Sequence, residues 1–456
     1  MTPPYRIPLK TKFYWGCGGM ADNFMMSAVV ALILPIYNIG FGVSAIWLGI
    51  ATAIPRFLDA FVDPWMGNVS DNTQSRWGRR RPYMLGGLIV CSILFPLLWM
   101  PPFESEVGRL SWFFTIYVLF TLAYTAFIVP YTALGIELTT DYDERTRVMA
   151  WRMFLGLIVG GLAVPWLYKL SRLDAFGGSE TAGIRVVGIG VGLAMLISGL
   201  PPALLVKERP HVPAAVKVAL LPALRVTFSN RPFLILLVAY VFILVGLFIG
   251  GSFGLYVNIY HAFGGNKDAA ATMIGWSGSV TAGAAYLSLF LATWVATHFG
   301  KRTAMLGGLA IGVVGGASMW FTINPVMPYA QLGSAFLLGL GLQGCWLMVS
   351  SMTADICDLD ELESGLQREG LYSAVVGCVQ KLAFALIAVA GGVFLRFSGY
   401  VENIPPGVDT VFRMRLFLVG FITTGLVTGF FMILRYPITR QRAEEVRCLI
   451  DARKQA

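Results

Sequence analysis

The sequence predicts an all-α membrane protein: twelve transmembrane helices in two pseudo-symmetric six-helix bundles. Three observations carry this. The composition is too apolar for a water-soluble domain, stretches of spanning length recur along the whole chain, and a loop-and-helix motif occurs once in each half.

Of 456 residues, 56% are hydrophobic and only 13% charged, against about 25% charged in ordinary soluble domains. That balance excludes a cytosolic enzyme. A spanning helix needs about 20 predominantly apolar residues. Such stretches fall at 13–37, 46–70, 81–101, 110–136, 150–172 and 183–206, then at 232–260, 268–296, 301–322, 326–352, 369–396 and 410–435. The opening MTPPYRIPLKTK is polar and basic, and no cleavable leader is expected after it. Residues 207–231, broken by proline and charge, read as a loop between an N-terminal bundle at 1–206 and a C-terminal bundle with its tail at 232–456.

The net charge of +9 is concentrated in a few short connections. Arg76, Arg79, Arg80 and Arg81 lie between helices 2 and 3, Lys301 and Arg302 between helices 8 and 9, and Arg435, Arg440 and Arg442 in the tail. The alternate connections are nearly free of lysine and arginine or are acidic, as at Glu104 and Glu106. This bias places both termini in the cytoplasm and argues against nucleic acid as a partner. The six cysteines show neither metal-ligand spacing nor an external pair, so no disulfide framework is expected.

The repeat reads WGRRRPYMLGGL at 77–88 and FGKRTAMLGGL at 299–309. Each copy closes a basic loop and opens the third helix of its half, the mark of a duplicated transporter plan. Pairing Gly78 with Gly300 sets Asp59 and Asp63 opposite Thr281 and Ala285. Any cation chemistry therefore belongs to the first half.

Helix 2 contains RFLDAFVDPWMGNVSD, in which Asp59 and Asp63 are one turn apart on a single face. Carboxylates at membrane depth are costly and mark ion paths. Two together repel, which raises a pKa or draws a cation between them. Arg56, one turn earlier, partly neutralises Asp59. A purely structural ion-pair network is the blander reading of the same residues. Asp22 in helix 1, Arg152 at the start of helix 5 and Lys381 in helix 11 are further candidates for a central cavity, Arg152 equally for snorkelling to the surface. With Asn23 they offer the mixed donors and acceptors that suit a polyhydroxy substrate. Trp346 in helix 10 is a candidate stacking surface, although an isolated tryptophan more often packs. Asp355, Asp358, Asp360, Glu361 and Glu363 form an acidic cytoplasmic cluster suited either to conformational ion pairs or to a solvated loop. No phosphate-binding glycine loop followed by lysine is present, so ATP use is not expected.

With those residues in view, the sequence resembles the glycoside–pentoside–hexuronide:cation symporters, the melibiose-permease-like branch of the major facilitator superfamily. The segment DAFVDPWMGNVSDNTQSRWGRRRPYML carries the resemblance most specifically, with support from VPYTALGIELTTDYDERTR, SNRPFLILL and ADICDLDELESGLQREGLYS. The resemblance implies alternating access, a central sugar site and coupling to Na⁺, Li⁺ or H⁺, with no cofactor beyond the coupling ion. It assigns Asp59, Asp63, Thr125 and Lys381 to the cation site, where Asp59 and Asp63 would also be the ligands if the ion is sodium. It assigns Asp22, Arg152, Trp346 and the helix-4 position Thr132 to the substrate, with Asn23 beside Asp22. Asp355, Asp358 and Glu361 match its gating acids, and Arg56 joins them as a charge near the cation site. Two positions depart from the pattern. Ile128 stands where melibiose-type members have a third carboxylate, and Thr132 where they have a tryptophan. The first weakens a sodium site; the second removes the cover of a galactoside. The expected protein is a monomeric inner-membrane symporter of a sugar or glycoside, in contact with membrane lipid. A lysolipid or other amphiphile carrier of the same fold is the alternative; an intramembrane aspartyl protease, which needs its aspartates on facing helices, fits poorly.

Overall fold

The computed structural model describes residues 7–73, 75–139, 142–208, 230–364 and 368–455. Most of the connection expected at 207–231 lies outside the described residues, as does the side chain of Glu363. The spanning helices are α1 (Leu9–Leu32), α2 (Ala45–Asn72), α3 (Arg81–Leu98), α4 (Glu106–Glu137), α5 (Tyr142–Ile158) and α6 (Glu180–Leu204), then α7 (Arg231–Val257), α8 (Lys267–Phe299), α9 (Lys301–Thr322), α10 (Gln331–Ser364), α11 (Glu369–Phe397) and α12 (Val408–Leu434). A further helix, α13 (Arg440–Gln455), occupies the basic tail. Among the described residues, eleven helices are long and apolar enough to cross a membrane, and the bent α2 makes twelve. The protein is a multi-pass membrane protein.

α2 bends by 42° between Ala45–Asp59 and Phe61–Asn72. Pro64 explains the position. It has no N–H for the Ala60 carbonyl and its ring crowds that carbonyl, so the helix yields one turn earlier. The bend thus falls between the two aspartates.

The chain forms two compact units. Unit 1 holds residues 1–212 with 267–279 and 399–405; unit 2 holds 213–266, 280–398 and 406–456. Within unit 1, α1 packs on α5 and α6, and α3 on α4 and α6. Within unit 2, α7 packs on α11 and α12, and α9 on α10 and α12. The two pairing patterns are the same when helices are matched six apart. The repeated motif has repeated geometry. Gly78 and Gly300 adopt φ of 105° and 93°, a region that favours glycine. Arg81 Nε then donates to the Ala203 carbonyl at 2.7 Å, and Arg302 Nε to that of Ile433 at 3.4 Å, so each arginine caps the end of its unit's last spanning helix. A second repeat went unnoticed in the sequence: α1 and α7 both finish in a π-helical turn, Ile33–Gly40 and Asn258–Ala262.

Small residues set the closest helix approaches, as membrane packing requires. A Cβ on Gly425 of α12 would stand 2.6 Å from the Phe242 carbonyl and 2.8 Å from Gly246 Cα of α7. Gly420, five residues earlier in the same helix, meets nothing within 4 Å. Gly425→Ala is expected to cost about 1–3 kcal/mol through overpacking, with Gly420→Ala neutral; thermal unfolding in detergent distinguishes them.

At the start of α5, Lys12 Nζ reaches Glu144 Oε2 at 2.7 Å and Arg147 reaches Oε1 at 2.7 Å. The Glu144 side chain is only 2% exposed. The Lys12 hydrogen bond, against burial and aided by Arg147, holds its carboxyl below the ordinary 4.5. A lowered folded pKa stabilises above the unfolded value and is lost as pH falls through the folded one. Glu144→Gln is therefore expected to lower the unfolding midpoint near neutral pH, with the gap to wild type closing well below pH 4.5.

Two expectations need correction. α5 begins at Tyr142, not near 150, so Arg152 lies almost three turns inside the helix and is not a surface-snorkelling residue. α10 runs on to Ser364, so the acidic cluster occupies its last turns and not a loop. Charged, amphipathic ends carry no apolar run, which is why an apolar reading stops short of them.

Candidate functional site

The predicted residues of unit 1 converge on α1, α2, α4 and α5. Asp22 uses both carboxylate oxygens: Arg152 Nη2 donates to Oδ2 at 2.9 Å and Tyr124 Oη to Oδ1 at 2.9 Å. The pair is partly enclosed, with side chains 26% and 18% exposed. The Arg152 guanidinium also lies over the Tyr131 ring, 5.3 Å from its centre, a cation–π contact. Tyr131 is fixed in turn, stacked on Trp15 at 5.1 Å and donating from Oη to the Trp15 carbonyl at 2.8 Å. Gly19 makes this possible, because a Cβ there would stand 2.9 Å from Arg152 Cγ.

The neighbouring turn carries the acids of α2. Asp63 Oδ1 accepts from the buried Thr125 hydroxyl at 3.1 Å. Asp59 is 5% exposed while Phe57, Phe61 and Trp65 of the same helix stand exposed, so α2 turns its apolar side out and its carboxylates in. Arg56 lies in the field of Asp59, Tyr117 and Tyr124, and its Nη1 donates to Met26 Sδ at 3.1 Å. Tyr124, which donates to Asp22, thus also lies in the field of Arg56.

Other expected residues sit elsewhere. The Asn23 amide lies between Gly156 of α5 and Gly160 of the π-helical turn that follows it, where a Cβ on either would stand 2.6 Å from it, and it donates to the Gly19 carbonyl at 3.0 Å. It serves the α1–α5 packing. Thr132 turns its hydroxyl back onto the Ile128 and Val129 carbonyls at 2.9 and 3.0 Å. In unit 2, Trp346 meets Tyr240 edge to face at 5.6 Å, and half-buried Lys381 lies within α11. Asp355 pairs with Lys301 at 2.6 Å, while Asp358 and Glu361 follow it along α10.

Tyr124 and Tyr131 were missed in the sequence. Their signal was a hydroxyl inside an apolar stretch, since a buried tyrosine O–H usually has a partner.

A carboxylate–guanidinium–phenol cluster thus lies in the same unit as a carboxylate–hydroxyl pair, and together they gather hydrogen-bond donors and acceptors on the inner sides of α1, α2, α4 and α5. They offer no activated nucleophile. Residues 14–440 match the model of the family described as MFS/sugar transport protein. The isoprimeverose transporter of Lactiplantibacillus pentosus is 25% identical over 413 residues, covering 87% of this chain and 82% of that one. The inner membrane symporter YicJ of Escherichia coli is 32% identical over 190 residues, 42% of this chain and 40% of that one. Among solved structures, a D-xylose–proton symporter superposes with a TM-score of 0.60 at 16% identity, covering 94% of this chain and 98% of that one. The chain belongs to the MFS/sugar transport family, the glycoside–pentoside–hexuronide:cation symporter branch of the major facilitator superfamily, and is a transporter and not an enzyme.

Proposed function

We propose that the protein is a symporter that carries a sugar or glycoside, such as a pentoside or hexuronide, across the bacterial inner membrane by alternating access. The single observation that carries this reading is the juxtaposition of the Asp22–Arg152–Tyr124 cluster with the Asp59/Asp63 pair and Thr125. The first set offers charged donors and acceptors to sugar hydroxyls; the second holds the coupling ion. The named relatives support a sugar as cargo and the inner membrane as the place. The lysine and arginine bias supports cytoplasmic termini, and the sequence repeat supports bundles at 1–206 and 232–456 joined by 207–231.

The coupling ion is H⁺ or Na⁺, and the arrangement favours H⁺. A proton needs one carboxylate, here Asp63 with Thr125 as hydrogen-bond partner. Sodium needs several converging oxygens, and Ile128 supplies none. Loading neutralises one of two repelling carboxylates, which lets the cavity accept substrate and reorient. On the family resemblance we assign Lys381 a role with the cation, Trp346 one with the sugar, and Asp355, Asp358 and Glu361 one in changing ion pairs of the cytoplasmic side. An amphiphile carrier is the second reading, favoured by Ile128 and by the Thr132 hydroxyl turned away into its own helix.

Counterflow in proteoliposomes tests the ion. Preloaded substrate is expected to exchange for labelled substrate without any ion gradient, faster at acid than at alkaline pH and unchanged when sodium replaces potassium. Strict dependence on sodium would reverse the assignment of the ion.

A further inference from the structure

Away from the candidate site, the end of unit 2 where α12 starts holds an arginine without a counter-charge. α12 has 27 residues, about 40 Å at 1.5 Å each, against about 30 Å of hydrocarbon. Arg415 is its eighth residue, so with the excess shared between both ends its Cα lies roughly one turn below the headgroups. Helical side chains lean toward the N-terminus of their helix, here the nearer bilayer surface, so the guanidinium reaches headgroup level.

Three elements meet around it. Arg415 Cζ stands 4.4 Å from the centre of the Trp320 ring, near the end of α9, and Nη2 donates to the Trp320 carbonyl. His261, in the π turn Asn258–Ala262 that ends α7, lies in the field of Arg415 and hydrogen-bonds the Ile323 backbone just past α9. Among the described residues no carboxylate pairs with Arg415, and its buried Nε has no acceptor. Asp409, the one acid of α12, is six positions earlier, on another side of the helix. Arg109 of α4, in unit 1, is the contrasting case. It too lies over a ring, that of Phe41 at 5.2 Å, but its Nε reaches the Phe103 carbonyl at 3.2 Å and its Nη1 that of Phe41 at 2.8 Å.

A cation at this depth is costly unless something of opposite charge meets it. The surface beside Arg415 indicates what does. Phe412 and Leu416 neighbour it on α12 and stand exposed, and the Phe412 ring meets Trp320 edge to face at 5.9 Å. Phe321, also exposed, follows Trp320. A polar fork thus stands beside an apolar strip, an arrangement that a phosphate with its acyl chains matches. We propose that Arg415, stacked on Trp320 and beside His261, binds the headgroup phosphate of an anionic phospholipid whose chains lie against Phe412 and Leu416. The unfilled N–H groups of the fork suit the several oxygens of a phosphate, and basic groups between spanning helices recognise lipid headgroups in this way. All of these residues belong to unit 2, and none is assigned to the sugar or the coupling ion.

Native mass spectrometry of the full chain in detergent, titrated with phosphatidylglycerol or with phosphatidylcholine of the same acyl chains, tests the site. Wild type is expected to retain one phosphatidylglycerol about tenfold more tightly than phosphatidylcholine, the scale of one modest charged contact. Arg415→Gln is expected to abolish that preference, and Arg109→Gln, which removes a ring-stacked arginine whose donors are already filled, to keep it. Where Arg415→Gln does not fold, Arg415→Lys replaces it, with the preference expected to fall to about threefold because a point charge neither stacks nor forks. Equal retention of the two lipids by wild type would overturn the proposal, as would a preference unchanged by the Arg415 variants or lost equally in Arg109→Gln. Glycerol phosphate at the lipid's concentration is expected not to displace the lipid; displacement would make a soluble phosphate the occupant and overturn the lipid.

Discussion

Asp63→Asn is expected to reduce uphill accumulation of substrate to the level of simple equilibration. A neutral sugar carried with one positive charge gains about 2.3 kcal/mol from 100 mV, which sustains a gradient of roughly 50-fold at about 1.4 kcal/mol per tenfold. Asparagine keeps the size of the side chain and can still accept from Thr125, the 3.1 Å hydrogen bond that fixes position 63. It cannot take up and release a proton. The variant should therefore fold and exchange substrate across the membrane, with an accumulation ratio near one. Asp59→Asn is expected to act in the same direction, since Asp59 shares the inward side of α2. Electrically driven uptake of labelled sugar into proteoliposomes, set beside gradient-free counterflow, reads both quantities.

The second large effect is expected at Asp22 and Arg152. Removing one partner of a partly enclosed pair leaves the other charge without its neutraliser, a loss of about 3–5 kcal/mol where burial is complete. With side chains 18% and 26% exposed, a smaller figure applies. Arg152→Gln is expected to raise KM about 100-fold, or roughly 2.7 kcal/mol. Arg152→Lys should recover little, because a point charge cannot keep both the 2.9 Å bond to Asp22 and the stack on Tyr131. A structural role alone would lower the unfolding temperature with KM unchanged in the folded fraction.

The spanning helices were legible because lipid imposes one rule everywhere: about 20 apolar residues, with backbone polar groups satisfied inside the helix. That rule says nothing about helix ends outside the bilayer. The first turns of α5, the last turns of α10 and the whole of α13 were hidden for this reason. The acids of α2 stood out because charge is rare at membrane depth. Asn23 shows the opposite case. Its neighbour Asp22 suggested a shared role, but adjacent helix positions point about 100° apart, and Asn23 faces Gly156 and Gly160. Tyr124 was overlooked because a tyrosine inside an apolar run looks like packing until its hydroxyl is placed 2.9 Å from Asp22.

Sugar symport is measured as uptake by the wild-type protein, in proteoliposomes, of a panel of labelled glycosides, pentosides and hexuronates under an imposed proton gradient and, separately, a sodium gradient. At least one sugar is expected to accumulate above its external concentration under the proton gradient. If folded protein accumulates none of them under either gradient, the sugar-symport reading is contradicted, and lysolipids become the substrates to try.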